Sequence, residues 1–175
     1  LGIEKEVPNA GLLHKQVTDF LKGNGALPND FNEREKSHFY DVKKLAKNAS
    51  LLMYFLIILF GLLSFVSFRI IGNNRHLMNF IGRVFLYGGG LSIMLSIILI
   101  LFVSLGFSSA FDSFHKLFFT QGTYTFDPAN EIIVRLYPEQ LFMDLGARIF
   151  GLFMLSSIFT TLLGAFLIAR SKKNK

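Results

Sequence analysis

Three long apolar stretches constrain this chain more than any other feature of its sequence. Each reaches the roughly 20 residues that an α-helix needs to cross a bilayer core of about 30 Å, and none contains Asp or Glu. The first is apolar all round the helix, which is typical of a helix that faces lipid. The sequence therefore predicts an all-α integral membrane protein with three spanning helices, at Ala49–Ile71, Val84–Phe107 and Leu145–Ala169.

Composition supports this class of protein. Hydrophobic residues make up 51% of the 175, which is more than a soluble core of this size requires. The chain has no cysteine, so disulfides cannot brace its loops and a thiol nucleophile is excluded.

Basic residues predict the orientation of the chain. Because Lys and Arg are retained on the cytoplasmic side of a membrane, segments 72–83 and 170–175 are predicted to be cytoplasmic, and 1–48 and 108–144 extracytoplasmic. This asymmetry accounts for the net charge of +6 without any nucleic-acid partner. The basic residues concerned are Arg69, Arg75, Arg83, Arg170, Lys172, Lys173 and Lys175.

The amino-terminal segment raises the question of how it is exported. Residues 1–48 contain neither the apolar core of a signal peptide nor a span, and Leu1 is not an initiator Met. We therefore expect a further amino-terminal span, and four spans in the complete protein.

The first extracytoplasmic segment predicts two helices. After a turn at Val7–Gly11, apolar residues recur at helical spacing until Gly23-Asn24-Gly25, as in an interfacial amphipathic helix. A second helix is expected after Pro28-Asn29, with Asp30 and Glu33 as a capping box, and it is expected to run into the first span. The apolar residues of the first helix are Leu12, Leu13, Val17, Phe20 and Leu21.

The second extracytoplasmic segment begins with phenylalanines at helical intervals, which predict a short helix in or below the headgroup region. Ile132–Val134 has the composition of a strand, and Pro138 with Glu139 is expected to open the last helix. Gly88–Gly90 is interpreted as small residues that let two helices approach closely. The phenylalanines are Phe107, Phe111, Phe114 and Phe118.

Two histidines, His38 and His115, lie in polar surroundings on the same predicted side of the membrane, which favours acid–base chemistry on a lipid-borne substrate. Asp41 and Asp112, each three residues from one of them, are candidates to orient the imidazoles. Candidate oxyanion donors are Arg34, Tyr124 and Arg148.

Several blocks together resemble the bacterial lipoprotein intramolecular transacylase family, over most of residues 28–170. Members of that family normally carry one more amino-terminal span than this chain. The resemblance implies transfer of the sn-2 acyl chain of a diacylglyceryl-cysteine lipoprotein to the α-amine of the cysteine, which leaves a lyso-form lipoprotein. The blocks are Glu33-Arg34-Glu35 with His38 and Asp41-Val42-Lys43, Phe114–Phe119, Phe126-Asp127-Pro128, and Leu136-x-Pro138-Glu139-x-x-Phe142-x-Asp144.

This chemistry suits the residues present, because transfer from ester to amide is downhill and needs no nucleotide, metal, other cofactor or acyl-enzyme. The α-amine has a reference pKa of about 7.7–8 and histidine about 6.5, so moving the proton to histidine costs about 2 kcal/mol. His38 and His115 are the expected acid–base pair. The pH profile of activity is expected to change slope between about pH 6 and 8.

Other interpretations remain open at this stage. Either histidine alone is compatible with a polar anchor at headgroup level, and His14 and His76 are interpreted as structural. A metal-dependent hydrolase would use His38, Asp41, Asp112 and His115, although no HExxH motif occurs. A serine hydrolase lacks a G-x-S-x-G motif. A non-catalytic membrane chaperone or interaction subunit would use the acidic outer segment to contact a partner.

Overall fold

The structure is a computed structural model, and it describes residues 7–119 and 124–173. Within these ranges the chain is helical and contains no strand. The helices are α1 (Ala10–Leu21), α2 (Glu33–Ile71), α3 (Asn74–Ser104), α4 (Phe107–Phe118), α5 (Ile132–Leu136) and α6 (Glu139–Lys173).

The three long helices confirm the predicted number of helices able to span a membrane. In the described residues α2, α3 and α6 are the helices long and apolar enough to cross a membrane. The predicted second helix does run straight into the first span, because α2 is continuous from Glu33 to Ile71. The last helix begins at Glu139, immediately after Pro138, as expected from the fixed φ of proline at a helix start.

The chain divides into two compact units. The first comprises residues up to Leu52 together with Phe107–Asp144, and the second comprises Met53–Gly106 and Leu145–Lys175. The first unit thus contains most of the two segments predicted to be extracytoplasmic, and the second contains most of the predicted spans.

A small apolar core organises the first unit. Helix α1 confirms its predicted periodicity, and it ends at Leu21 before Gly23 and Gly25, which take positive φ angles of 93° and 94° that favour glycine. One face of α1 packs against residues of α2 and α5. The buried residues of this core are Val7, Ala10, Leu13, Val17, Phe20, Phe31, Phe39, Ile133 and Leu136.

In the second unit, α3 and α6 approach closely at small residues. A Cβ atom built on Gly164 would lie 2.7 Å from the carbonyl oxygen of Gly82, so the two backbones are almost in contact there. Of the predicted glycine run, Gly89 lies at this contact, whereas Gly88 and Gly90 face open space.

Two local predictions are wrong. Ile132–Val134 forms the start of helix α5 rather than a strand, and the backbone N–H of Ile133 is capped by the Glu35 carboxylate, a long-range contact that β-branched composition does not reveal. The capping box of α2 is formed by Asn32 and Glu35, not by Asp30 and Glu33: Asn32 Oδ1 accepts from the Glu35 N–H (2.9 Å) and the Glu35 carboxylate accepts from the Asn32 N–H (2.7 Å).

Candidate active site

A cavity of about 440 Å³ lies within the first unit. This volume is within the range of roughly 300–1,000 Å³ typical of small-ligand sites. Apolar side chains make up most of its lining, and the polar groups among them are histidines, tyrosines and one threonine. These polar residues are His14, Thr18, His38, His115, Tyr124 and Tyr137.

His38 lies on the first part of α2, one turn after Glu35, and its side chain is buried. Its ring centroid is 5.0 Å from that of Phe119 and 5.3 Å from that of Phe126. Among the described residues, no hydrogen-bond partner reaches its Nδ1 atom. Burial, with a smaller contribution from His115, lowers the pKa of His38 to about 4, while the charge of Asp41 opposes the shift. His38 is therefore neutral near pH 7.

His115 projects from α4 into the same cavity. Its Nδ1 atom lies 2.7 Å from the backbone carbonyl oxygen of Phe111. Because a carbonyl oxygen only accepts hydrogen bonds, this contact places the proton of the neutral ring on Nδ1 and leaves the Nε2 lone pair available. The ring centroids of His115 and His38 are 6.1 Å apart, and that of Tyr124 is 5.1 Å from His115.

The other predicted site residues have different surroundings. Asp112 forms an ion pair with Lys116 at 2.6 Å, one turn further along α4, so its carboxylate is directed to that cation rather than to His115. This hydrogen bond raises the pKa of Lys116. Asp41 is half-buried on α2, and Arg148 is exposed on α6, in the second unit.

Arg34 is engaged in three contacts of its own, and it does not line the cavity. It donates a hydrogen bond from its Nη2 to the Thr125 carbonyl oxygen, lies 3.9 Å from a Glu131 carboxylate oxygen, and covers the ring of Phe126 at 5.4 Å. Of the predicted residues, the structure thus brings His38, His115 and Tyr124 together around the cavity.

Sequence reasoning missed two polar features of the first unit. His14, interpreted as structural, lines the cavity with its Nδ1 3.2 Å from the Tyr137 hydroxyl, and burial raises the pKa of Tyr137 to about 12. Glu35 and Glu131 are buried. The spacing of Glu35, three residues after Asn32, is a signal of a capping box, whereas nothing local to Glu131 indicates its burial.

A metal centre built from His38, Asp41, Asp112 and His115 has no geometric support. Within residues 7–119 and 124–173, no three His, Cys, Asp or Glu side chains are grouped so that they could hold a metal ion.

The sequence profile of the family described as "Lipoprotein intramolecular transacylase Lit" matches residues 8–142. The chain belongs to this family. The enzyme is accordingly a membrane lipoprotein transacylase, and the cavity with its two histidines lies in the part of the chain that the profile covers.

Solved structures agree with this assignment at the level of the fold. The enzyme superposes on the membrane-integral lipoprotein intramolecular transacylase Lit from Bacillus cereus with a TM-score of 0.75 and 24% identity, over 98% of this chain and 80% of that one. A second structure, of a variant of that protein with one histidine replaced by arginine, gives a TM-score of 0.73 and 22% identity, over 99% and 78%. Comparison with curated protein sequences gives no match.

Proposed function

We propose that the enzyme moves the sn-2 acyl chain of a diacylglyceryl-cysteine lipoprotein onto the α-amine of the same cysteine, which leaves a lyso-form lipoprotein. The C–O bond of the ester breaks, a C–N amide bond forms, and the proton lost by the amine ends on the glyceryl oxygen. The observation that carries this proposal is the pair His38 and His115, with ring centroids 6.1 Å apart in a mostly apolar cavity.

His115 is proposed to move the proton. Its Nε2 lone pair is available because the Phe111 carbonyl holds the proton on Nδ1. A backbone carbonyl thus takes the orienting role that the sequence assigned to Asp112. As the amine attacks the ester, Nε2 accepts the amine proton, and the resulting imidazolium then donates it to the departing glyceryl oxygen. One residue therefore serves as base and then as acid.

His38 is proposed to stabilise the oxyanion as a neutral hydrogen-bond donor. With a pKa of about 4, only about one His38 in a thousand is protonated at pH 7, so it is a poor acid for the leaving group. Nor is it a good base, because taking a proton from an amine with a pKa near 8 would cost about 5 kcal/mol. A neutral imidazole N–H keeps its hydrogen in every step and needs no reorganisation. Tyr124 is kept as a second candidate donor.

The separation of the two rings suits this division of roles. The distance of 6.1 Å between the centroids is about twice the 2.6–3.2 Å reach of a hydrogen bond. A reacting carbon between the rings therefore has its nitrogen within reach of one imidazole and its oxygen within reach of the other. Because ester and amine belong to one molecule, positioning supplies part of the roughly 7–11 kcal/mol available from orientation.

We further propose that the first unit faces the extracytoplasmic side, as the basic residues at the end of α2, in the first turns of α3 and at the end of α6 indicate. The chain contains no cysteine, so single cysteines report on their own side of the membrane. Asn24→Cys and Lys172→Cys place a thiol at exposed positions of the first and second unit. A membrane-impermeant maleimide should label only Asn24→Cys in intact cells. Labelling of only Lys172→Cys would reverse the orientation.

The transfer itself is tested with a diacylglyceryl lipopeptide that has a free amino terminus. Intramolecular transfer leaves the mass of the lipopeptide unchanged, so fragmentation mass spectrometry must locate the acyl group. We expect it on the cysteine nitrogen with the wild-type enzyme and on the glyceryl oxygen with His38→Ala or His115→Ala. His76→Ala, at an exposed residue of α3, is the matched control. Near-full turnover by both site variants would refute the histidine mechanism.

A further inference from the structure

Two buried carboxylates have no part in the proposed chemistry. Glu35 is 1% exposed and Glu131 is 6% exposed, and neither lines the cavity. A buried carboxylate is costly unless hydrogen bonds satisfy its oxygens. The partners of these two residues therefore indicate what they do.

Glu35 caps two helices at once. One of its carboxylate oxygens accepts a hydrogen bond from the Asn32 N–H at the start of α2 (2.7 Å), and the other accepts from the Ile133 N–H in the first turn of α5 (2.8 Å). The N-cap residue of α5, Glu131, makes no side-chain bond of its own to that helix. A side chain of α2 therefore satisfies an amide of α5 that would otherwise be unpaired.

Glu131 in turn contacts the start of α2. Its Oε2 accepts from the Asp127 N–H at 2.7 Å, which closes the turn that follows Phe126. Its Oε1 lies 3.4 Å from the Asn32 amide nitrogen and 3.9 Å from the Arg34 guanidinium. Each of the two glutamates thus bonds to the segment that carries the other.

Phe126 connects the segment held by these bonds to His38. The ring of Phe126 contacts His38 edge-on, with centroids 5.3 Å apart, lies under the Arg34 guanidinium at 5.4 Å, and packs against the apolar core of the first unit. Arg34 and His38 are four residues apart on α2, so they lie on one face of the helix. The position of Phe126 therefore depends on how residues 125–133 are attached to the start of α2.

We propose that Glu35 and Glu131 are positioning residues of the transacylase, whose reciprocal bonds hold Phe126 against His38. This inference rests on the proposed role of His38. The glutamates act through Phe126 and contact no substrate. If the attachment loosens, Phe126 leaves the edge of His38 and water reaches the imidazole. The other titratable groups around that ring, His115 on α4, Asp41 on α2 and Tyr124, keep their places.

Glu35→Gln tests the attachment. Glutamine offers one acceptor oxygen where the carboxylate offers two, so its NH2 group faces either the Asn32 or the Ile133 N–H. Glu33→Gln is the matched control, because the substitution removes the same charge in the same helical turn, and the Glu33 side chain is 91% exposed and bonded to Lys36. Arg34→Lys is a milder second variant, which keeps the charge but loses the planar group over Phe126.

The readouts are kcat, KM and the titration of His38 followed by NMR of labelled histidine. For Glu35→Gln we expect kcat to fall about tenfold or more, since small displacements of a catalytic group are costly, and KM to change less than twofold. The midpoint of His38 should rise by about one pH unit as water enters. Arg34→Lys should also lower kcat and raise the His38 midpoint, and Glu33→Gln should change neither kcat nor the midpoint.

An unchanged His38 midpoint in folded Glu35→Gln and in Arg34→Lys would overturn the proposal, whatever the activity. If Glu35→Gln does not fold, Glu131→Gln decides, because it keeps one acceptor oxygen where the carboxylate offers two, to the Asp127 N–H and the Asn32 amide. The titration needs no turnover, so it separates this proposal from the proposed function. An inactive wild-type enzyme would refute the transacylation chemistry, while a midpoint that shifts in a glutamate variant and not in Glu33→Gln would still support the positioning role.

Discussion

The imidazole rings of His38 and His115 are nearly parallel, with an interplanar angle of 20° and centroids 6.1 Å apart. The two histidines are 77 residues apart in the chain, on α2 and α4. Four phenylalanines, Phe111, Phe114, Phe119 and Phe126, contact one or both rings. The surroundings of the pair are thus mostly aromatic, and burial among these rings disfavours the charged form of His38.

The protonation of His38 can be measured directly. Because burial lowers its pKa, the folded protein binds this proton only near pH 4, whereas an exposed histidine binds it near pH 6.5. We expect the His38 resonance, identified by its loss in His38→Ala, to titrate with a midpoint near pH 4. Any change of slope in the pH profile of activity between pH 6 and 8 should then come from other groups, such as the substrate amine. A His38 midpoint near 6.5 would contradict the neutral-donor role.

The same shift predicts how stability depends on pH. Between about pH 4 and 6.5 the unfolded chain binds a proton at His38 that the folded protein does not bind, so the free energy of unfolding should rise with pH across that window. His38→Phe should reduce the slope in chemical denaturation measured at pH 4.5 and 7. An identical slope in wild type and His38→Phe would show that another group controls it.

Asp112→Asn should leave the enzyme active. Its carboxylate pairs with the exposed Lys116, and exposed pairs of this kind contribute little to stability. We expect kcat/KM of Asp112→Asn to stay within about twofold of wild type between pH 6 and 8 in the lipopeptide assay, because the Phe111 carbonyl orients His115. A loss of more than tenfold in kcat/KM would instead indicate that Asp112 orients His115.

The contact between α3 and α6 should tolerate no side chain at Gly164. The Cβ of Gly164→Ala would lie 2.7 Å from the Gly82 carbonyl oxygen, so the helices must separate, at a cost of about 1–3 kcal/mol. Gly151→Ala, on the same helix with no atom within 4 Å of its Cβ, is the control and should be neutral or slightly stabilising. Unfolding in detergent micelles measures both, and equal stability of the two variants would contradict the close packing.

Tyr137 and His14 should be energetically coupled. The Tyr137 pKa of about 12 keeps its hydroxyl protonated across the usable pH range, so it can donate to His14 Nδ1 at 3.2 Å. A double-mutant cycle with Tyr137→Phe and His14→Phe should give a coupling energy of about 0.5–1.5 kcal/mol. Additive effects of the two substitutions would mean that the bond contributes nothing to stability.

Features that depend on local periodicity were predictable from the sequence. Length and hydropathy determine that α2, α3 and α6 can span a membrane, because each residue contributes a fixed rise and lipid accepts only apolar side chains. The spacing of the apolar residues in α1 and α4 likewise indicates those two helices. The choice of His38 and His115 as candidates also needed only sequence.

Tertiary structure decided which groups meet. Glu35 and Ile133 are 98 residues apart, and their hydrogen bond caps helix α5, a segment with the composition of a strand. Asp112 pairs with Lys116, and Arg34 contacts the Thr125 carbonyl and Glu131, partners that the sequence did not indicate. The pKa of His38 depends on aromatic rings that segments distant in sequence bring against it. Such contacts follow from packing of the whole unit, which periodicity within one segment does not encode.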